Sequence, residues 1–404
     1  MPEKRFVLKN CGVIDPRRID TYLEQDGFRA LPKARQMTPE AVIAEIKASG
    51  LRGRGGAGFP CGLKWELACK SPGDEKFVIC NADEGEVGTF KDRYILENDP
   101  FTLIEAIAIA AHAVGARTAY IYLRAEYSYL LDLLLNAIYQ AEKAGFLGDL
   151  TIRVVPGAGA YVCGEESALM DSIEGKRGEV RYRPPFPPTQ GLWHKPTIIN
   201  NVETLMNIPQ IILNGASWFN QMGTERSKGT KVFSVSGDVA KPGVYELVLG
   251  SPLRELVEGL AQATRVKMMQ IGGATGRIVP NTMIDTPLSY ETILGAGAIT
   301  IFDESRDVID VVYRTMQFLA EESCGKCSPC REGTEALLAL LERFHNGEGE
   351  TRDISVLEDL SNAMMLSALC GLGQAAPVPV MDTLRYFRSD YESRIKQKQG
   401  GMVR

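Results

Sequence analysis

The sequence has only three histidines and three tryptophans, no visible repeat or low-complexity segment, and no apolar run long enough for a bilayer. His112, His194 and His345 stand far apart and are poorly placed as ligands, so a histidine-rich metal site is excluded. The most apolar stretch, Leu103 to Ala116, is too short to span a membrane and carries Glu105 and His112, which predicts a buried helix. No apolar segment of a secretion signal occurs in the opening "MPEKRFVLKN". The expected location is therefore the cytoplasm, at most peripheral at the inner face of a membrane, with no direct insertion. A net charge of −6 offers no basic footprint for nucleic acid or an anionic membrane. Nine cysteines without a secretion signal do not make a disulfide framework. Five of them (Cys11, Cys61, Cys69, Cys80 and Cys163) are scattered and read as small buried hydrophobes.

What is present is an ordinary globular composition, 45% hydrophobic and 24% charged over 404 residues. Such a length accommodates roughly two to four domains. "MTPEAVIAEIKASG" reads as a helix with Thr38 as N-cap, Pro39 in the first turn and Gly50 as its stop. A glycine-rich stretch follows, then short strands at "KFVIC", "TAYIYL" and "LTIRVV" alternating with helices. That alternation predicts a mainly parallel α/β sheet with its ligand at the carboxyl ends of the strands. From about Thr230 two short strands around a Lys-Pro-Gly turn, then one helix, predict a small α+β domain ending near Phe302. From Asp307 the pattern is helical, with four expected helices and a capping box at Ser355 and Glu358.

The remaining four cysteines carry the strongest signal. "ESCGKCSPCREGT" places Cys324, Cys327 and Cys330 on one loop, and Cys370 follows in "ALCGLGQ". Three thiolates from a tight loop and a fourth from a distance suit a [4Fe–4S] cluster. Structural zinc usually draws paired ligands from two knuckles, and no second C-x2-C exists near Cys370. Gly325, Gly371 and Gly373 are expected to let backbone approach the sulfurs, and Lys326 and Arg331 to raise the cluster's potential.

"GLRGRGGAGFPCGLKW" contains Gly53-x-Gly55-x-x-Gly58, but a helix rather than a strand precedes it, so the dinucleotide fingerprint is not met. No Lys-Ser or Lys-Thr pair follows, which excludes a Walker A loop. The glycines are expected to aim backbone N–H groups and Arg54 at an anion; the alternative is a flexible loop. "CNADEGEVGTFKDR" gathers Asp83, Glu84 and Glu86 at a strand end, as a solvated acidic turn or a hard-cation site. "GAGAYVCGEESALM" puts Glu165 and Glu166 at a helix N-terminus. "PPFPP" holds Phe186 as a stacking platform or a stiff turn.

Together with "RPPFPPTQGLWHKPTIINNVET", these ordered motifs resemble the flavin-bearing NADH-oxidising subunit of respiratory complex I and of soluble NAD-linked hydrogenases and formate dehydrogenases. The likeness runs from about Lys9 to Tyr391. It implies an N-terminal extension and helix (1–50), a Rossmann-like FMN and NAD(H) domain (51–228), a β-grasp SLBB domain (229–302) and a four-helix bundle with one [4Fe–4S] cluster (303–404). By motif position FMN would be held by Gly53, Arg54, Gly55, Lys64, Asn81, Asp83, Gly164, Asn200, Asn201 and Thr204. NADH would stack through Phe59 and Phe186, with Glu86, Glu165 and Glu166 on its polar groups and a preference over NADPH. Glu86 and Lys64 are the implied catalytic residues, Lys64 stabilising reduced flavin. Cys61 stands where many relatives carry threonine, and Leu67 where some carry an aromatic. The implied activity is NADH dehydrogenase: hydride to flavin, then single electrons through the cluster to partner chains. These partners would be a small thioredoxin-like [2Fe–2S] subunit and a larger iron–sulfur, hydrogenase or formate dehydrogenase subunit. The alternatives are NAD+ reduction or electron bifurcation by the same parts, or a flavin-free scaffold stapled by zinc.

Overall fold

The computed structural model describes residues 3–396; the outer ends of the first and last expected segments lie outside the described residues. Strands β1 (Phe77–Ala82), β2 (Thr118–Leu123), β3 (Thr151–Pro156) and β4 (Thr197–Asn201) form a sheet in the order β3-β2-β1-β4, every pair parallel. The two central strands are almost continuously buried, as a sheet covered on both faces requires. Three of these strands follow from the sequence pattern. β4 does not, because only Ile198 and Ile199 are apolar before two asparagines interrupt the run. Asn81 on β1 lies opposite both Tyr122 and Asn201, so β1, β2 and β4 end level with one another.

Helix Pro39–Ser49 has the expected caps: Thr38 accepts the Ala41 N–H, and Gly50 turns at φ +71°. Helix Pro100–Val114 is buried except at His112, matching the expected buried run. Its one carboxylate inside the helix, Glu105, accepts from Tyr22 Oη (2.6 Å) and from the Phe28 and Leu31 N–H groups (2.9 Å each). The N-terminal segment packs into this core, and three successive N–H groups, of Phe6, Val7 and Leu8, donate to the Glu246 carboxylate.

The next region is a five-stranded mixed sheet rather than two strands and a helix. β5 (Thr230–Gly237), β6 (Gly243–Val248), β7 (Val266–Ile271), β8 (Arg277–Pro280) and β9 (Ala298–Asp303) run in the order β6-β5-β9-β7-β8. The additional strands are short and depend on pairing: β9 gains its place between β5 and β7 from partners distant in sequence. The last region has three long helices, Val308–Glu321, Ser328–His345 and Thr351–Ser367, and shorter ones at Gly371–Ala375, Val378–Tyr386 and Arg388–Glu392. The third long helix begins earlier than expected. Glu350 and Asp353 form its capping box, and Ser355 lies inside it, bonded to the Arg352 carbonyl. Among the described residues no helix is long and apolar enough to cross a membrane.

Alternating residues of β1 face two cores. Val78, Cys80 and Ala82 join the large core with the helices. Phe77 and Ile79 face a smaller one with Tyr120, Val162 and Leu169, against which Cys324, Leu369 and Cys370 pack. This seats the cysteine region directly on the parallel sheet.

Candidate functional site

Parallel strands that end level leave their following loops side by side. At the end of β1 the Asn81 amide donates to the Gly164 carbonyl (2.8 Å), and its oxygen accepts the Asp83 N–H (3.0 Å). The loops after β1 and β3 are thereby locked together. One carboxylate oxygen of Asp83, Oδ2, is buried with no hydrogen-bond partner. Burial pushes this carboxyl up to about 7, against the attraction of Arg124. A buried acceptor without a donor is a position that a ligand N–H can complete.

The glycine stretch is an ordered loop closed by Gly53 N–H to the Phe59 carbonyl (2.9 Å). Its next N–H, of Arg54, donates to Thr204 Oγ1 (2.8 Å). A Cβ on Gly55 would stand 3.1 Å from the Asn201 Cβ, so the backbone lies against that side chain. The Arg54 side chain is not turned toward an open site. It is fully buried and donates to the carbonyls of Arg52 (3.3 Å) and Lys228 (2.5 Å), with its Nε left without a partner among the described residues. What this loop offers a ligand is backbone, with Thr204 holding it in place.

Asn200 and Asn201, at the end of β4, also support the site from beneath. The Asn200 oxygen accepts from Trp65 Nε1 (2.8 Å), and its amide reaches Cys61 Sγ (3.6 Å). Asn201 caps helix Val202–Met206 and donates to Asp92 (2.7 Å). Behind it lies a buried charge network whose pairing the sequence does not reveal, although Lys91, Asp92 and Glu203 stand within the quoted motifs. Lys91 contacts Asp92 (2.8 Å) and Glu203 (2.9 Å), and Lys231 contacts Glu203 (2.5 Å), with all four side chains at most 4% exposed. The two lysines hold the Glu203 carboxyl below its usual range against the cost of burial. Lys231 is the second residue of strand β5, so the network ties the parallel domain to the mixed sheet.

On the open side, Phe59 and Phe186 are 45% and 53% exposed, available for stacking. Lys64 Nζ stands 6.0 Å from the Phe59 ring centre, 3.0 Å from the Ile199 carbonyl and 3.3 Å from Glu166. Arg183, three residues before Phe186, pairs with Glu166 (3.0 Å) and with Glu165. Glu165 also caps helix Glu166–Ile173, accepting from the Ser167 (2.9 Å) and Ala168 (3.0 Å) N–H groups. The two carboxylates are thus shared with two cations rather than bare.

The acidic turn is not solvated. Glu84 accepts from the Asp92 (2.9 Å) and Arg93 (3.0 Å) N–H groups and from Tyr127 Oη (3.1 Å). Glu86 accepts from Tyr161 Oη (2.8 Å), the Ala274 N–H (2.7 Å) and Thr275 Oγ1 (3.0 Å). Burial raises both carboxyls, that of Glu84 to about 7. Glu86 therefore bridges the parallel domain to the β7–β8 turn, where a Cβ on Gly273 would collide with it.

Cys324 and Cys327 lie on the loop after helix Val308–Glu321, Cys330 in the first turn of helix Ser328–His345, and Cys370 just ahead of helix Gly371–Ala375. All four thiols are free and line one recess, together with Val162, Val180 and Leu369. Burial, then the neighbouring Cys327, Cys370 and Cys324, push the Cys330 thiol to about 11, with Ser323 opposing. Cys370 is raised by burial too, while the Gly373 and Leu372 N–H groups favour its charged form. A Cβ on Gly373 would fall 2.7 Å from Ala368 and 2.9 Å from Cys330, so this approach requires glycine. At Gly371 there is open space, and no such requirement exists. Lys326 lines the recess, whereas Arg331 is turned to the Gly325 carbonyl (2.7 Å) and Glu332 (2.8 Å). Among the described residues no three histidine, cysteine or acidic side chains are gathered around one ion position. A cubic cluster spreads its thiolates around a volume instead, and four soft donors about one recess fit it.

Residues 46–210 match the Nuo51 FMN-binding domain, and residues 310–394 match the NADH-ubiquinone oxidoreductase-F iron-sulfur binding region. The chain is 43% identical to the NADP-reducing hydrogenase protein HndC of Solidesulfovibrio fructosivorans, over 98% of this chain and 84% of that one. It is 41% identical to the second F-type component of the NADH-quinone oxidoreductase of Rhizobium meliloti (strain 1021), over 97% and 98%. Its fold superposes on a crystal structure of an NAD+-reducing [NiFe]-hydrogenase in the H2-reduced state, with a TM-score of 0.87 at 41% identity. That match covers 92% of this chain but 65% of the hydrogenase chain, so this chain spans about two thirds of its length. With both family matches in order and likeness along nearly its whole length, the chain belongs to the family of F-type NADH-quinone oxidoreductase components and their hydrogenase counterparts.

Proposed function

We propose that the chain is the NADH-oxidising module of a larger redox assembly, an NADH dehydrogenase carrying FMN and a [4Fe–4S] cluster. The observation that carries this reading is the placement of four free cysteines around one recess that packs on the same sheet whose carboxyl edge presents the glycine loop. When bound, FMN accepts a hydride as two electrons and the cluster carries them singly.

The protein's part is to bind, orient and exclude water. Backbone of Gly53 to Gly55, with Asn201 and Thr204 beneath, would cradle the flavin nucleotide, and Asp83 would accept a ligand N–H through its free oxygen. Lys64, at the edge of the same pocket, would place positive charge beside the reduced ring system. Phe59 and Phe186 would sandwich NADH, with Glu86, Glu165 and Glu166 at its polar groups. Because Arg183 and Lys64 share the last two carboxylates, the repulsion of a 2′-phosphate is partly offset, and the preference for NADH over NADPH is reduced accordingly. Cys324, Cys327, Cys330 and Cys370 would ligate the cluster. The mixed sheet would be the SLBB unit and the helical region the cluster bundle, with boundaries near residues 228 and 302. The partners would be a small [2Fe–2S] subunit and a larger iron–sulfur or hydrogenase subunit.

The test is anaerobic purification of the full chain. FMN in the supernatant after denaturation, about four irons per chain, and NADH-dependent ferricyanide reduction are expected. A colourless protein holding zinc and no flavin would sink the proposal in favour of the scaffold reading.

A further inference from the structure

The wall between the two sites is a single turn, Tyr161–Gly164, whose successive residues face different ways. Tyr161 reaches Glu86 through its hydroxyl (2.8 Å), on the nicotinamide side of the proposed pocket. Val162 lines the four-cysteine recess. Gly164 offers its carbonyl to Asn81 (2.8 Å) and lies against Asp83, on the flavin side. The part-buried hydrogen bond from this turn to the cysteine segment is made by Glu322, the residue after helix Val308–Glu321 and two before Cys324. Its Oε2 accepts the Tyr161 N–H at 3.1 Å, and one helical turn earlier Phe318 packs edge-on against the Tyr161 ring at 5.3 Å. The other polar contacts across this seam lie on the rim, Lys326 to Glu179 at 3.7 Å and Arg177 to the Cys324 carbonyl at 3.2 Å with an exposed side chain, while Cys324, Leu369 and Cys370 make non-directional apolar contact with the core that includes Val162.

We infer that Glu322 is a positioning residue for electron transfer between the two sites: its bond to the Tyr161 N–H fixes the distance between the flavin-side turn and the cysteine loop. This rests on the function proposed above. The donor is backbone, so no rotamer change of Tyr161 can remove it, and the seam is pinned at the residue that separates the two redox sites. Removing the acceptor leaves a part-buried N–H without a partner and frees the turn to shift.

The experiment compares Glu322→Gln and Glu322→Ala in the cofactor-loaded full chain, mixed with NADH in an anaerobic stopped-flow. Glutamine retains an acceptor oxygen, so both flavin bleaching and cluster reduction should stay within about twofold of the parent. Alanine should leave flavin bleaching unchanged but slow cluster reduction several-fold, because electron transfer weakens steeply as the freed turn lengthens the gap. Iron content and the g-values of the reduced cluster should be the same in all three proteins. Three results would overturn the inference: cluster reduction at the parent rate in the alanine variant, equal slowing in both variants, or loss of iron from the alanine variant, which would make Glu322 an assembly residue. A parent protein lacking flavin or iron would instead overturn the underlying function, and is read before any variant is compared.

Discussion

The cysteine recess and the glycine-loop pocket are built by opposite strategies. The recess takes three of its four thiols from one loop and helix start, and the fourth from a single later turn. Its donors are the same element, and what surrounds them is mostly apolar. The pocket takes its parts from the ends of β1 and β4, the loop before helix Cys61–Lys70 and the turn after β3. Nearly every polar group in it is tied to another: Asn81 to Gly164, Thr204 to Arg54, Asn201 to Asp92, Asp92 to Lys91, Lys91 to Glu203. A site that binds by soft ligation needs only that its thiolates meet. A site that binds by hydrogen bonds and shape needs each group held in one orientation, and burial makes every unpaired group unfavourable.

The sharpest way to separate the two is to remove one thiolate. Cys370→Ser should abolish the reduced-cluster EPR signal and most of the bound iron while FMN content is retained. Loss of both cofactors together would show that the regions are not independent. Next in size is the buried network. Glu203→Ala removes the carboxylate paired with buried Lys231, leaves Lys91 paired with Asp92, and should cost roughly 3–5 kcal/mol of stability in denaturant titrations. Glu358→Ala, which breaks an exposed pair with Arg388, should cost under about 1 kcal/mol. Equal losses would refute the claim that the charges behind Asn201 hold the pocket.

Asp83 provides a pH test. Its carboxyl is raised to about 7 in the fold by burial, from an ordinary value of 3.8, so the folded protein keeps a proton that the unfolded chain has already released. Between those values stability must fall as pH rises, and above about 7 the full penalty applies. Asp83→Asn removes that penalty. The variant apoprotein should melt higher than the parent at pH 8, by up to ~2–4 kcal/mol, with the gap closing toward pH 4, and should bind FMN more weakly. Parallel melting curves across that range would show that the side chain is not held as described. The mildest effect on the proposed function belongs to the exposed aromatics. Phe186→Ala should raise the KM for NADH roughly 5- to 30-fold, about 1–2 kcal/mol of stacking, with little change in kcat. An unchanged KM would remove Phe186 from the substrate site.

Much of this molecule is readable residue by residue. The helix from Pro39 and the buried helix from Pro100 follow from local periodicity and caps, as do the first three strands. That Cys324, Cys327, Cys330 and Cys370 belong together follows from spacing, and the structure brings all four to one recess. Harder to read are elements whose identity depends on distant partners. β4 exists because it pairs with β1, and β9 because it lies between β5 and β7. The pattern of apolar residues points to a capping box at Ser355, because it starts the helix at its first apolar position, whereas Glu350 and Asp353 begin it a turn earlier.

The chain of residues alone determined which side chains the protein has for its chemistry: four thiols in ligating register, a glycine loop that must curl, and aromatic residues beside prolines. Tertiary structure decided which of those groups are free to act. Two nitrogens of Arg54 are occupied by carbonyls, Glu165 by a helix end and Glu86 by a neighbouring turn, while Arg54 Nε and one oxygen of Asp83 are left open. The reason is physical. Local conformation is set by neighbours in the chain, but a buried polar group is satisfied by whatever the fold brings against it, however far away in sequence that partner lies.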